Sequence, residues 1–259
     1  MSSPVNDPDL ERVRPVLDAV RGRAPLVHCL SAAVSMEIVA DGLLAAGARP
    51  MMTETAAEAP HMVPLADALL INLGTLSTDG AEGIPATVEA ARGLGLPWVL
   101  DPAAVGAAPV RTALARRLLE QRPAVVRANA SEVLSLAGGA GGRGADSTAA
   151  PEDAAQAARQ ISALTGGAVA VSGAADLLLD TRRELRVARG TPLLTRVTGT
   201  GCLLSALTAA CLGAGSAPLE AARAAAVWMG AAGELAEERA PRPGSFRVAL
   251  ADALDEVGR

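Results

Sequence analysis

The sequence predicts an α/β protein with a mainly parallel central sheet covered by helices, and three observations carry that expectation. Short apolar runs of strand length alternate with helical patterns along most of the chain, the order that βαβ units impose. Turn residues or a helix follow each strand-like run. Half of the 259 residues are hydrophobic, ample for a large core in one α/β domain or two small ones.

Taken in order, residues 9–21 place Leu10, Val13, Leu17 and Val20 on one helical stripe. Residues 26–30 read as a buried strand, followed by a helix over 33–46 that stops at Gly47. Further strands are expected at 49–53, 68–72, 97–101, 124–128 and 168–172. Two short runs, 177–180 and 184–188, flank Thr181-Arg182-Arg183 and predict a hairpin. A strand and turn at 193–198 then lead into three helices, at about 201–214, 219–239 and 245–257. The Gly/Ala-rich stretch 138–149 reads as a flexible surface loop before a helix that begins near Pro151. In such a sheet, ligands lie beyond the carboxyl ends of the strands.

Residues 197–205, Val-Thr-Gly-Thr-Gly-Cys-Leu-Leu-Ser, are the most informative stretch. Gly199 and Gly201 precede a long Ala/Leu run, so the backbone can approach a ligand closely where free helix amides and the helix dipole favour an anion. Cys202 falls in that first turn, where the same field should favour a thiolate. The two familiar nucleotide fingerprints are missing. A G-x-G-x-x-G would need glycine where Leu204 stands, and the chain contains no lysine for a P-loop. A nucleotide must therefore be held by arginine, backbone amides and metal.

Composition excludes other classes. A net charge of −5 and only three aromatic residues, Trp98, Trp228 and Phe246, speak against a nucleic-acid surface or base-stacking platform. Cys29, Cys202 and Cys211 are odd in number and widely spaced, which predicts neither disulfides nor a structural zinc and points to a cytoplasmic protein. The N-terminus is acidic with no apolar segment after it, and no clean run of membrane-spanning length occurs, so neither a signal peptide nor a membrane partner is expected.

Polar groups at the predicted strand ends complete a candidate site. Asp101 follows Trp98-Val99-Leu100, and Asn129 and Glu132 follow Val125-Val126-Arg127. A carboxylate pair there can hold Mg²⁺ against substrate phosphates. Each residue also has a structural reading, since Asp before Pro102 suits a turn and Asn129 with Glu132 has the spacing of a capping box.

These residues carry a resemblance. Thr198-Gly-Thr-Gly-Cys202, Asp101-Pro102, Arg127-Ala-Asn-Ala-Ser-Glu132 and Asn72-Leu-Gly-Thr-Leu76 resemble the hydroxyethylthiazole kinases of thiamine biosynthesis, in consistent order over about residues 12–255. The resemblance implies a single ribokinase-like kinase domain over 1–259, an αβα sandwich with helices on both faces of the sheet. It further implies transfer of the ATP γ-phosphate to the primary hydroxyl of 4-methyl-5-(2-hydroxyethyl)thiazole, Mg²⁺ as cofactor, and a homotrimer with sites between subunits.

Residue by residue, it implies that Gly199 and the following amides form an anion hole and contact substrate, as does Met52. Arg127, Ser172 and Asn129 would contact ATP, with Ser172 standing where the family commonly has threonine. Asp101 and Glu132 would organise Mg²⁺. Cys202 would face the acceptor hydroxyl, as base or as an orienting group, where most ribokinase-like sugar kinases have an aspartate.

The chain departs from the family in His28-Cys-Leu-Ser-Ala32-Ala33, where Ala32 replaces an asparagine, and in Ala103-Ala104-Val105-Gly106. A hydrogen bond in the thiazole pocket is thereby lost, and a related hydroxyalkyl heterocycle such as hydroxymethylpyrimidine, or a non-catalytic thiazole- or thiamine-binding homologue, is the alternative. His28 reads equally as a substrate contact or a structural residue, His61 as solvated, and Cys29 and Cys211 as small buried hydrophobes.

Overall fold

Asp7 caps the first helix, accepting from the Asp9 and Leu10 amides, and α1 (Pro8–Arg23) buries Val13, Leu17 and Val20 as its stripe requires. The computed structural model describes residues 7–138 and 149–259, so most of the stretch expected as a loop at 138–149 lies outside the described residues. Strands and helices then alternate: β1 (Leu26–Leu30), α2 (Met36–Ala45), β2 (Arg49–Met52), α3 (Ala59–Met62), β3 (Ala68–Asn72), α4 (Thr78–Gly93), β4 (Trp98–Asp101), α5 (Pro109–Glu120), β5 (Val125–Asn129), α6 (Ala130–Leu136), α7 (Ala155–Thr165) and β6 (Ala168–Ser172). The hairpin follows as β7 (Asp176–Leu179) and β8 (Glu184–Val187), and the chain closes with α8 (Thr200–Gly213), α9 (Pro218–Arg239) and α10 (Pro243–Glu256).

The eight strands form one sheet in the order β2-β1-β3-β4-β5-β6-β7-β8. Strands β1 to β6 are parallel, and the hairpin adds β7 and β8 antiparallel at one edge. Period-two alternation sends Val27, Cys29, Leu70, Val99 and Val125 into the core under α1, α2, α8, α9 and α10. Leu30, Leu69, Ile71, Leu100 and Val126 enter a second core with α4, α5, α6 and α7. The two cores make the expected αβα sandwich, and burial on both faces explains the continuous apolar strand runs.

Two local expectations change. The strand predicted at 193–198 is a 3₁₀ turn over Pro192–Arg196, because Pro192 supplies no amide for a ladder and Thr191 Oγ1 accepts from the Leu193 amide at 3.1 Å. The helix predicted over 33–46 begins as a separate 3₁₀ turn, Ala33–Ser35, tied down by the Ala33 amide donating to Thr75 Oγ1 at 2.8 Å.

Helix α8 is buried along almost its whole length and packs against β1, β3 and β4. That burial explains why its sequence is apolar on every side, and it aims the helix N-terminus at the carboxyl ends of the strands.

Candidate active site

Side-chain alternation decides which strand-end residues share the α8 face. Asn72 and Asp101 stand in register at the ends of β3 and β4, and Asn129 and Ser172 at the ends of β5 and β6. Arg127, two residues before Asn129, has the same orientation, and Met52 in register with Cys29 brings the edge strand to the same side. His28 alternates to the other face. There its Nε2 pairs with Thr53 Oγ1 at 2.7 Å, and burial lowers its pKa to about 4, so it is a neutral structural histidine outside the site. His61 lies exposed on α3.

Asp101 is the electrostatic centre. It is 1% exposed, accepts a hydrogen bond from Ser205 Oγ at 2.6 Å, and lies 3.6 Å from Arg127 Nη1. Burial raises its pKa, while Arg127 and Ser205 draw it down. Arg127 Nη2 donates to Ser172 Oγ at 2.8 Å, and its Nε is buried without a partner. A Cβ on Gly201 would fall 2.7 Å from Arg127 Nη1, so glycine there lets the guanidinium lie against the mouth of α8. Asp176 closes this side of the site, accepting from the Gly173 amide at 2.9 Å within the field of Arg127.

Glu132 fastens the loop after β4. Its Oε1 accepts from the Ala104 amide at 2.9 Å and its Oε2 from the Asn129 amide at 3.0 Å, while Asn129 Oδ1 accepts from the Glu132 amide at 2.9 Å. The capping box is therefore real, and both of these residues carry structural work in addition to their place at the site.

Burial, and then the charge of Asp101, raise the Glu132 pKa to about 7. In the native state Glu132 thus holds a proton between about 4.5 and about 7 that the unfolded chain has released. The stability this contributes is present at low pH and is lost as pH rises through that window. His28, kept neutral by burial, slopes the opposite way over much of the same range. The Glu132 effect is therefore read as a difference: from pH 5 to 7.5, metal-free wild type should lose on the order of 2 kcal/mol relative to Glu132→Gln in denaturant melts. A difference that stays flat or grows in favour of wild type contradicts this assignment.

Gly199 caps α8 with φ +91°, and an added Cβ would lie 2.5 Å from Ile38 Cγ2 and 2.9 Å from Ser35 Cβ. The first intrahelical bond is from the Leu203 amide to the Gly199 carbonyl at 2.9 Å, so the preceding amides point out of the helix. Cys202, in this turn, does not show the thiolate expected from the helix field. Burial first, and then Asp101, push its pKa up, against the weaker pull of Ser35, Arg127 and Asn72. The thiol is the resting form. Cys29 and Cys211 are fully buried, with thiols pushed up to about 12, and serve as small core residues.

The structure thus gathers Asp101, Arg127, Asn129, Glu132, Ser172, Gly199 and Cys202 around one end of the sheet. Met52 is more remote, half-buried on β2, two strands from β3 and so about 10 Å across the sheet. Ser205 and Asp176 escaped the sequence reading. Ser205 follows Gly201 by one helical turn, a spacing that places it on the Gly201 face, but nothing in the chain reveals that Asp101 faces it. Among the described residues, no group of three or more His, Cys, Asp or Glu side chains forms a metal cage, and no helix is long and apolar enough to cross a membrane.

A parallel sheet that brings a buried acid and an arginine up to the open end of an apolar helix defines the class as ribokinase-like kinases, enzymes that phosphorylate alcohols. Pyridoxal kinase from Staphylococcus aureus, solved with AMP-PCP and pyridoxal, shares the fold with a TM-score of 0.64 over 81% of this chain and 87% of its own, at 19% identity.

Within that class the chain belongs to the hydroxyethylthiazole kinase family, whose model matches residues 17–259. A hydroxyethylthiazole kinase from Kineococcus radiotolerans is 51% identical over 255 residues, covering 98% of this chain and 92% of that protein. One from Corynebacterium glutamicum is 48% identical over 93% of this chain and 92% of its own. The solved hydroxyethylthiazole kinase from Pyrococcus horikoshii superimposes with a TM-score of 0.87 at 39% identity, covering 95% of this chain and 94% of that one.

Proposed function

We propose that this chain transfers the ATP γ-phosphate to the primary hydroxyl of 4-methyl-5-(2-hydroxyethyl)thiazole, with Mg²⁺ as cofactor. The observation that carries the reading is the meeting of Asp101 with the mouth of α8, held by the hydrogen bond from Ser205. A binding protein has no use for a buried carboxylate aimed at a helix N-terminus, whereas phosphoryl transfer needs anion-holding amides and a cation-holding acid in one place.

In this reading Arg127, held by Ser172 and Asp101, engages the phosphates of ATP, and Asn129 and Ser172 line the nucleotide side. The amides that follow Gly199 receive the transferred phosphoryl oxygens. Asp101 and Glu132 would hold the Mg²⁺. Their environment fits a cation, because two buried carboxylates face one guanidinium and burial, with the charge of Asp101 second, raises Glu132 to about 7. The ion, when bound, neutralises phosphate charge. Cys202, kept as a thiol, orients the acceptor hydroxyl rather than deprotonating it, and a loose transition state needs little early proton removal. Met52 bounds the far side of the thiazole pocket.

The decisive experiment is an ADP-release screen with ATP and Mg²⁺ over hydroxyalkyl thiazoles, hydroxymethylpyrimidines and sugars. Turnover is expected with the thiazole alcohol. Binding by thermal shift without any turnover would instead indicate a thiazole sensor.

The homotrimer, with sites between subunits, belongs to the same proposal. Its support is an exposed apolar side chain beside the site: Val34, next to Ser35, is 63% exposed. Light scattering should give three times the 25.9 kDa chain mass. A monomer at micromolar concentration would contradict the trimer.

A further inference from the structure

The Asn72 side chain commits only one of its two polar ends to the fold. It ends β3, is 3% exposed, and points to the α8 face in register with Asp101. Its Oδ1 accepts from the Gly74 amide at 2.8 Å, and since a backbone amide can only donate, this contact settles which end of the side chain is the carbonyl. The Nδ2 end is buried, has no nitrogen or oxygen partner, and faces the Cys202 thiol. A buried donor in that state is costly, so each one retained in a native protein has a specific reason.

The surroundings define what the missing partner is. Asn72 acts on the Cys202 thiol, and Cys202 in turn feels Asp101, so the free amide end lies at the reacting end of the site. Ser31, one residue beyond the paired Leu30 and Ile71, is 5% exposed and its Oγ also lacks a partner. Ala32 cannot serve the same purpose: it is apolar, 1% exposed, and its Cβ would sit 2.8 Å from a Cβ on Gly74. The wall between β1 and β3 therefore offers an oriented amide donor and a hydroxyl, both buried.

We infer that Asn72 is a substrate-binding residue whose Nδ2 donates a hydrogen bond to the hydroxyl oxygen of the acceptor alcohol, so that this side chain selects a hydroxyl-bearing ligand and holds its oxygen beside Cys202. The inference rests on the kinase reading above and adds a specificity-determining residue to it. The Gly74 contact pre-orients the amide, so no reorganisation is needed when the alcohol arrives.

The test compares two ligands by titration calorimetry, 4-methyl-5-(2-hydroxyethyl)thiazole and the 5-ethyl analogue that lacks the hydroxyl, with wild type, Asn72→Asp and Asn72→Ala. Asn72→Asp keeps an acceptor for the Gly74 amide and removes the Nδ2 donor, so it isolates the proposed contact from the turn. Wild type should prefer the alcohol by about tenfold, and both variants should bind the two ligands within about threefold of each other. Turnover of the alcohol by Asn72→Asp should fall about 10²-fold. If Asn72→Ala does not fold, Asn72→Asp alone decides. An undiminished preference for the hydroxyl in Asn72→Asp, or no preference in wild type, overturns the inference and leaves the kinase reading standing. A wild-type protein that binds and phosphorylates no thiazole alcohol removes that reading and the inference with it.

Discussion

Asp101→Asn should lower kcat about 10³-fold while changing the KM for ATP by less than about tenfold. Asp101 meets α8 through Ser205 and β5 through Arg127, so its charge is shared by the helix mouth and the nucleotide side. The isosteric amide can keep the Ser205 contact but cannot compensate Arg127, and it leaves the proposed cation with Glu132 alone. Cys202→Asp is the informative contrast. It should retain kcat within about tenfold, because the resting thiol orients a hydroxyl and a carboxylate can do the same. Steady-state kinetics on both variants, with melting curves to show that each folds, check the pair. An Asp101→Asn enzyme within tenfold of wild type, or a dead Cys202→Asp enzyme that still binds substrate, would reverse the roles assigned to these two residues.

Gly199→Val should be equally damaging for a different reason. The φ of +91° is a conformation that β-branched residues strongly resist, and the new side chain would enter Ile38 and Ser35. Strain and overlap together are worth about 3 kcal/mol or more, which should lower Tm by roughly 5–10 °C in a chain of this size. Relief of that strain tilts the first turn of α8, and the amides that would receive the phosphoryl oxygens move with it. A kcat/KM loss of about 10³-fold is expected, larger than the stability change alone can produce at 25 °C. Gly199→Ala should show the same effects in smaller measure. Full activity in either variant at its own folded fraction would show that the helix mouth is not the anion site.

Strands β1, β3 and β6 begin and end at the expected positions, because a parallel strand buried on both faces is apolar over most of its length. The 193–198 segment misled for the complementary reason: Leu193, Leu194 and Val197 look like strand residues, but Thr191 and Pro192 turn the chain before a ladder can form. Glu132 is legible in sequence as a capping residue, and the structure shows the capping box together with a bond from the Ala104 amide after β4. Cys202 lies in the first turn of α8 as its sequence position predicts, but burial first and then Asp101 raise its pKa, which the sequence does not reveal. His28 was open between two readings until alternation along β1 sent it away from α8.

By itself the sequence determined the α/β class, the order of the elements and the residue types that gather at the strand ends. These follow from local periodicity and turn chemistry, which act over a few residues. The tertiary structure alone decided that Asn72 and Asp101 share a register, that Ser205 reaches Asp101 across 104 positions of chain, and that Arg127 lies against Gly201. Those contacts depend on which strands neighbour one another and on how deeply α8 is buried, and the electrostatics of Asp101, Glu132 and Cys202 follow from that burial rather than from any neighbour in sequence.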